Sequence, residues 1–299
     1  MKRISLLFTL LITFSFHANS QISIGDSLPD SCATLDLQAS DRGLMLPRLS
    51  TMQMNDISNP ATGLVIYNKT VNAVYCFNGT IWNMIGNKDG QSCGDLTYMG
   101  QTYGTVIIGN QCWMAENLNV GQMIDGGSDQ TDNSEFEKYC YNNIEDSCEI
   151  YGGLYQWDEV MRYTKTSGSQ GMCPSGWHIP TDEEWKILEG SVDSLYAVGD
   201  PEWNGSGWRG FDAGKQLKSN YAWYSNGNGN DGYGFTALPA GYRNTSGSFE
   251  MMPLYAYFWT SDYFDDTFIY YRSFYHSKDG IGRSTHSKNR GFSVRCIKN

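Results

Sequence analysis

Apolar positions along this chain fall in short runs separated by glycine- and asparagine-rich connections. Between residues 21 and 86 the clearest runs are Gly63-Leu64-Val65-Ile66-Tyr67 and Ala73-Val74-Tyr75-Cys76-Phe77, rich in the β-branched and aromatic residues that suit a pleated surface. Asn78-Gly79 follows the second run and precedes Thr80-Ile81-Trp82. Asn-Gly supplies the positive-φ positions of a tight hairpin, so the pattern predicts a small antiparallel meander. Upstream, Thr51 to Ile57 predicts one short helix that stops before Asn59-Pro60, because a residue preceding proline is pushed out of the helical region. A unit of this size buries too little apolar surface to be robust alone, which calls for a bridge or for self-association. Cys32 and Cys76 are the only pair it can make internally.

Asn87-Lys88-Asp89-Gly90-Gln91-Ser92 is polar and without apolar period, so residues 87–93 read as a linker to a larger unit at 94–299. That unit shows one convincing helix, opening at Pro180-Thr181-Asp182-Glu183-Glu184-Trp185. There the Thr181 hydroxyl can accept from the Glu184 amide while the Glu184 carboxylate returns to the Thr181 amide. Asp182 and Glu183 suit the positive end of the helix dipole, and Trp185 and Leu188, three apart, would bury one face. A weaker helical stretch runs from about Leu154 to Met161. The expected fold class is therefore α+β, loop-rich with few helices, preceded by a small β-rich module.

Lys2 and Arg3, an apolar run from Ile4 to Phe16, and small residues at Ala18 and Ser20 make residues 1–20 a secretory signal rather than a membrane span, since about 20 apolar residues are needed to cross a bilayer. No cysteine follows directly, so no lipid anchor is expected. The formal net charge is −11, and removing residues 1–20 makes it more negative. Such a chain repels nucleic acid and anionic lipid. All eight cysteines lie after the signal, and an even number in an exported protein reads as disulfides; there is no CxxC and the histidines are scattered, which disfavours a structural metal. The expected location is extracellular or at the outer cell surface.

Several spaced segments carry a resemblance: YGTVIIGNQCWMAEN (103–117), YGGLYQW (151–157), CPSGWHIPTDEEW (173–185), GFTALPAGYR (234–243), FWTS (258–261) and GFSVRC (291–296). In this order they resemble the Fibrobacter succinogenes major paralogous domain family, across about two thirds of the chain. That family is similar to the C-type-lectin-like fold and, more distantly, to the formylglycine-generating sulfatase-modifying domain. ATLDLQASDRGLMLPRL (33–49) and ISNPATGLVIYN (57–68) resemble an N-terminal module of Bacteroidetes surface proteins and phage tail-fibre-like proteins. The lectin-like resemblance implies a long-range bridge from after the helical half to the last strand, Cys173–Cys296. Closing so large a loop removes about 4–5 kcal/mol of unfolded-state entropy in the chain model. Cys140 and Cys148 flank a polar excursion and would clip it, leaving Cys93–Cys112 by elimination and Cys32–Cys76 in the first module.

The chemical motifs are weak. Gly227 to Gly232 matches GxGxxG but lacks the strand before and the helix after that a dinucleotide site requires, so a flexible loop is the preferred reading. Asn226, Asn228, Asn230 and Asp231 suggest a calcium loop, yet the glycine and closing glutamate are missing at their places; a turn is preferred, with calcium kept as the alternative and no other cofactor expected. The sulfatase-modifying enzymes use paired cysteines near their C-terminal signature, and residues 260–290 contain none, so that activity does not carry over. No catalytic residue is assigned.

What remains is aromatic surface. Tyr242 and Trp259 fall in motifs and read as core, whereas Trp203, Trp208, Trp223 and Tyr224 lie outside them and are the candidates for contact with a ligand. The expectation is a surface binding or adhesion protein, not an enzyme, recognising a glycan or protein through loops at 194–232, 244–256 and 262–288. Self-association through the first module fits this reading. A structural subunit of a surface or fimbrial assembly and a polysaccharide-acting or side-chain-modifying enzyme are the alternatives.

Overall fold

The computed structural model describes residues 22–24, 35–37, 39, 41, 43–70, 73–80, 82–85 and 89–299; the expected signal segment and Cys32 lie outside the described residues. The chain divides into two units, Met1–Leu46 and Pro47–Asn299. In the first, Ile22–Ile24 and Leu35–Leu37 pair in parallel.

The second unit opens with the meander that the apolar runs predict. Strands β1 (Arg48–Leu49), β2 (Val65–Asn68), β3 (Ala73–Phe77) and β4 (Trp82–Met84) form one sheet in that order, with β2, β3 and β4 antiparallel. Between β1 and β2 lies helix α1 (Thr51–Asn55), started by Ser50, whose hydroxyl accepts from the Gln53 amide while the Gln53 side chain returns to the Ser50 amide. Met54, Ile66 and Tyr75 pack with Val198 and Ile187, so this sheet shares a small core with the rest of the unit. Cys76 lies on the other face of β3 from Tyr75 and carries a free thiol, and its expected partner Cys32 lies outside the described residues. The strand period of two accounts for that placement: the residue that follows the core-facing Tyr75 must point away from that core.

Residues 89–92 meet the larger part as an added edge. The Gly90 amide donates to Ile107 at 2.9 Å and the Ile107 amide to Gln91 at 2.8 Å. Beyond them, α2 (Glu145–Tyr151), α3 (Trp157–Val160), α4 (Asp182–Val192) and α5 (Ala213–Leu217) are the α-helices, and two four-stranded sheets carry the architecture. Their strands are β5 (Thr105–Ile108), β6 (Gln111–Met114), β7 (Trp177–His178), β8 (Gly207–Arg209), β9 (Tyr255–Tyr263), β10 (Phe268–Tyr275), β11 (Ile281–Ser287) and β12 (Ile297–Lys298). One sheet runs β7-β12-β6-β5 and so ties the C-terminal strand to the start of the domain; the other runs β8-β11-β10-β9. This is the α+β, loop-rich, helix-poor class that the sequence predicts. Segment 262–288, expected as loops, instead contains β10 and β11. The β-branched and aromatic residues of 268–275 satisfy a strand once β9 supplies the partner edge.

Helix α4 forms as its sequence dictates. Thr181 caps it reciprocally with Glu184, and Trp185 and Leu188 are fully buried. Trp185 meets Trp113 at 5.1 Å and Phe258 at 5.6 Å between ring centroids, giving the larger part an aromatic core. The same helix brings buried Glu189 against Arg209 and Arg272, and Asp182 against Arg272 and Arg283. Burial alone would raise the Asp182 carboxyl, but the hydrogen bonds and charges of Arg283 and Arg272 hold it well below the usual carboxylate range.

The polar residues in the motifs are clamps on irregular backbone. Arg295 is fully buried and donates to the carbonyls of Met114, Phe235 and Thr236 and to Asn117 Oδ1. Arg243 holds the carbonyls of Gly126, Ser128 and Asn289. Trp259 donates to the Tyr155 carbonyl at 2.8 Å and Trp157 to the Thr260 carbonyl at 2.9 Å. Loop-rich backbone leaves carbonyls without ladder partners, and long side chains with several donors satisfy them. Three disulfides complete the frame: Cys93–Cys112, Cys140–Cys148 and Cys173–Cys296, with Cα atoms 6.2, 5.1 and 5.8 Å apart.

Candidate functional site

The sheet β8-β11-β10-β9 has two unlike faces, and strand alternation decides which residue lies on which. One face turns Ala256, Phe258, Phe274 and Arg272 toward α4 and the core. The other carries Tyr255 and Tyr257 from β9, Tyr271, Ser273 and Tyr275 from β10, Gly282 and Ser284 from β11, and Trp208 from β8. The register sets Tyr257, Ser273, Gly282 and Trp208 in one row across the four strands. Tyr255, Tyr257, Tyr271 and Tyr275 are all partly exposed, and Ser284 is exposed.

These side chains organise one another. Tyr255 stacks on Tyr275 at 4.3 Å and beside Tyr257 at 5.4 Å, and Tyr257 stacks on buried Phe292 at 4.9 Å. Trp208 behaves differently. A Cβ on Gly282 would lie 2.2 Å from Ser273 Oγ and 3.4 Å from Trp208 Cζ3, so the indole rests within van der Waals reach of Gly282, whose missing side chain leaves room for both neighbours. Trp208 is 41% exposed there, which leaves indole surface for a ligand, with Tyr275 6.2 Å away. At one end His276 meets Tyr275 edge-on at 4.4 Å and Tyr224 at 5.4 Å; at the other, Arg290 lies over Tyr242 at 4.6 Å. The Tyr242 hydroxyl donates to Glu250 at 2.7 Å. Burial, then the Arg290 charge, lowers His286 to about 4, so this histidine at the rim is neutral at physiological pH. The face is therefore flat, aromatic, rich in hydroxyl groups and weakly charged.

Of the four aromatic candidates, the structure brings Trp208 and Tyr224 together through Tyr275 and His276, and Tyr224 is 55% exposed. Trp203 and Trp223 are corrected to core: Trp203 donates to the Ala197 carbonyl at 3.0 Å, and Trp223 donates to the Ser219 hydroxyl and the Ala237 carbonyl at 3.1 Å each. Their indole N–H groups find partners inside, which is how a loop-rich domain buries a large ring without a polar penalty. Tyr255, Tyr257, Tyr271 and Tyr275 were missed. The signal was present in YAYFWT and IYYRSFY, where Tyr255 and Tyr257, and Tyr271 and Tyr275, stand at even spacing, but reading it requires knowing that these segments are strands.

The calcium candidates do not converge. Asn228 Oδ1 accepts from the Trp223 amide at 3.1 Å, the Asn230 amide side chain reaches Gln216 at 3.5 Å, both Asp231 oxygens hold Thr236 at 2.7 and 2.8 Å, and Asn226 is exposed. Neither is the 227–232 segment a free loop. Its amides at 229–232 bond to the carbonyls of Ser219, Lys215, Lys218 and Gln216, and a Cβ on Gly229 would come within 2.3 Å of the Lys218 carbonyl.

Fold and face together define a disulfide-stapled, loop-rich α+β domain that turns an aromatic sheet face to solvent. A family model described as the Fibrobacter succinogenes major domain matches residues 106–298, and one described as a phage tail like trimerisation region matches residues 23–97. The chain belongs to the Fibrobacter succinogenes major domain family. No curated protein and no solved structure matches it. Among the described residues no helix is long and apolar enough to cross a membrane.

Proposed function

We propose that this chain is an extracellular binding protein of C-type-lectin-like architecture that recognises a glycan through the tyrosine face, and that it acts by binding rather than by catalysis. The carrying observation is Trp208, 41% exposed and in contact reach of Gly282, beside the partly exposed tyrosines of the same sheet face. An indole face suits the C–H side of a sugar ring, while phenol and serine hydroxyls suit its edge. The lectin-like reading is supported by the last strand pairing with β6 near the start of the domain and by the Cys173–Cys296 bridge across the same region. Six cysteines held in bridges favour an oxidising compartment and leave no thiol among them for chemistry. On a glycan array, the secreted protein is expected to bind a defined set of glycans and Trp208→Ala to weaken that binding tenfold or more, at about 1.4 kcal/mol per decade. Binding that is unaffected by Trp208→Ala and Tyr257→Ala alike would remove the face from the site.

A second element of the reading concerns assembly. The match to a trimerisation region, together with exposed Leu35, Leu37, Leu44 and Met45, supports self-association in threes through the N-terminal segment. Light scattering after size exclusion is expected to give three times the chain mass, falling to the monomer when residues 21–46 are deleted; a monomeric full-length chain would refute it.

A further inference from the structure

A cavity of about 580 Å³ lies between the sheet β1–β4 and the C-terminal end of α4, within the range of roughly 300–1,000 Å³ usual for small-molecule sites. Its two walls differ. On one, Tyr75 and Phe77 stand two apart on β3 and Phe77 faces Trp82 on β4, so the three rings share a sheet face; Phe77 and Trp82 are 5.4 Å apart between centroids. On the other are polar groups: Ser191 in the last turn of α4, Asp193 just after it, Gln216 from α5, and Tyr233. Asp89 lies at the junction, where its Oδ1 accepts from the Gly109 amide at 2.5 Å and so fixes the carboxylate in the cavity wall. Tyr75 and Tyr233 bring one phenol from each wall into the lining, and burial, followed by the Asp89 charge, pushes the Tyr75 hydroxyl up to about 12 and also raises Tyr233.

We infer that this cleft is a second binding site, separate from the tyrosine face, and that it takes a neutral saccharide unit between the Phe77–Trp82 wall and the Asp89–Tyr233 wall. The chemistry of the lining selects this class. An anion would face Asp89, Asp193 and Asp200. A purely apolar ligand would cover the Tyr75 and Tyr233 phenols without giving them hydrogen bonds, at a cost of about 1–3 kcal/mol for each group. A pyranose offers an apolar C–H face to Phe77 and Trp82 and several hydroxyl donors to the carboxylate and the Gln216 side chain. Because the walls come from the small sheet and from the family domain, occupancy would also fasten one to the other.

The test is saturation-transfer NMR on the full secreted chain, with methyl glycosides of glucose, galactose, mannose and N-acetylglucosamine as probes and with glucuronate and glucosamine as charged counterparts. The expected result, read in a Trp208→Ala background so that the tyrosine face is silenced, is transfer to at least one neutral glycoside, lost when Trp82→Ala is added and weakened about tenfold when Asp89→Asn is added. Asparagine at 89 keeps an acceptor for the Gly109 amide, so the second variant reads the carboxylate without unfolding the junction. The inference is overturned by absence of transfer to any neutral glycoside in that background, by transfer to the charged sugars alone, or by transfer that survives the added Trp82→Ala. Transfer seen in the parent and absent in the Trp208→Ala background would assign the sugar to the tyrosine face and leave that reading standing.

Discussion

His286 stands at the rim of the tyrosine face with Nδ1 accepting from the Ser287 amide at 2.9 Å, and burial together with the Arg290 charge lowers it to about 4. In the unfolded chain a histidine protonates near 6.5, so acid loads the unfolded state first. Stability is therefore unaffected by this group above about 6.5 and declines as pH falls from there toward 4, by on the order of 3 kcal/mol. His178 works in the opposite sense. Its Nε2 lies 2.8 Å from Glu184 and that hydrogen bond raises it, so its contribution is full below the unfolded value and is lost as pH rises through the folded one. Urea midpoints at pH 7 and pH 4.5 check the first claim: His286→Asn, which retains an acceptor for the Ser287 amide, is expected to lose less stability on acidification than the parent. Neither histidine could be sorted from sequence, since each shift is set by neighbours at least four residues distant along the chain.

At the scale of the element, α4 was the most legible part of the chain. Its cap, first-turn acids and Trp185–Leu188 spacing all lie within eight residues, and local chemistry is what sequence reports best. Its buried acid was not legible. Glu189 is fully buried between Arg209 and Arg272, the latter at 2.5 Å, and these arginines come from strands 20 and 83 residues later. Replacing Glu189 with glutamine leaves Arg209, among the described residues, without a carboxylate partner and Arg272 with Asp182 alone. The expected loss is about 3–5 kcal/mol by chemical denaturation, recovered in large part when Arg209 and Arg272 are changed to methionine together with Glu189→Leu. The tyrosine face has the same origin: β9 and β10 each carry aromatic residues on both sides, and the packing of α4 makes one side core while Phe292 covers Trp259 and part of the other.

For the whole molecule, the bridges set the hierarchy of stability. Cys173–Cys296 spans 123 residues and Cys140–Cys148 spans eight, so in the chain-entropy model their loss costs about 5 and about 2.5 kcal/mol respectively. Thermal unfolding of the two Cys→Ser pairs is expected to follow that order, and equal losses would show that native strain or residual structure outweighs loop entropy. Trp113, Trp185, Phe235 and Phe258 meet in one cluster although they are spread over 146 residues, so the long bridge closes the same topology that the aromatic core requires.

By itself the sequence determined what depends on neighbours along the chain: the meander around Asn78-Gly79, the capped helix at Thr181, the α+β class, the disulfide habit and the family. Tertiary structure decided which side of each strand meets the core. It thereby buried Trp203 and Trp223, exposed Trp208, left Cys76 a free thiol and turned four tyrosines toward solvent. The physical reason is that burial is a property of a residue's surroundings, and in a loop-rich domain those surroundings come from segments far away in sequence. An aromatic residue has the affinity to fill a core or to meet a ligand, and the partner packed against its strand decides between the two.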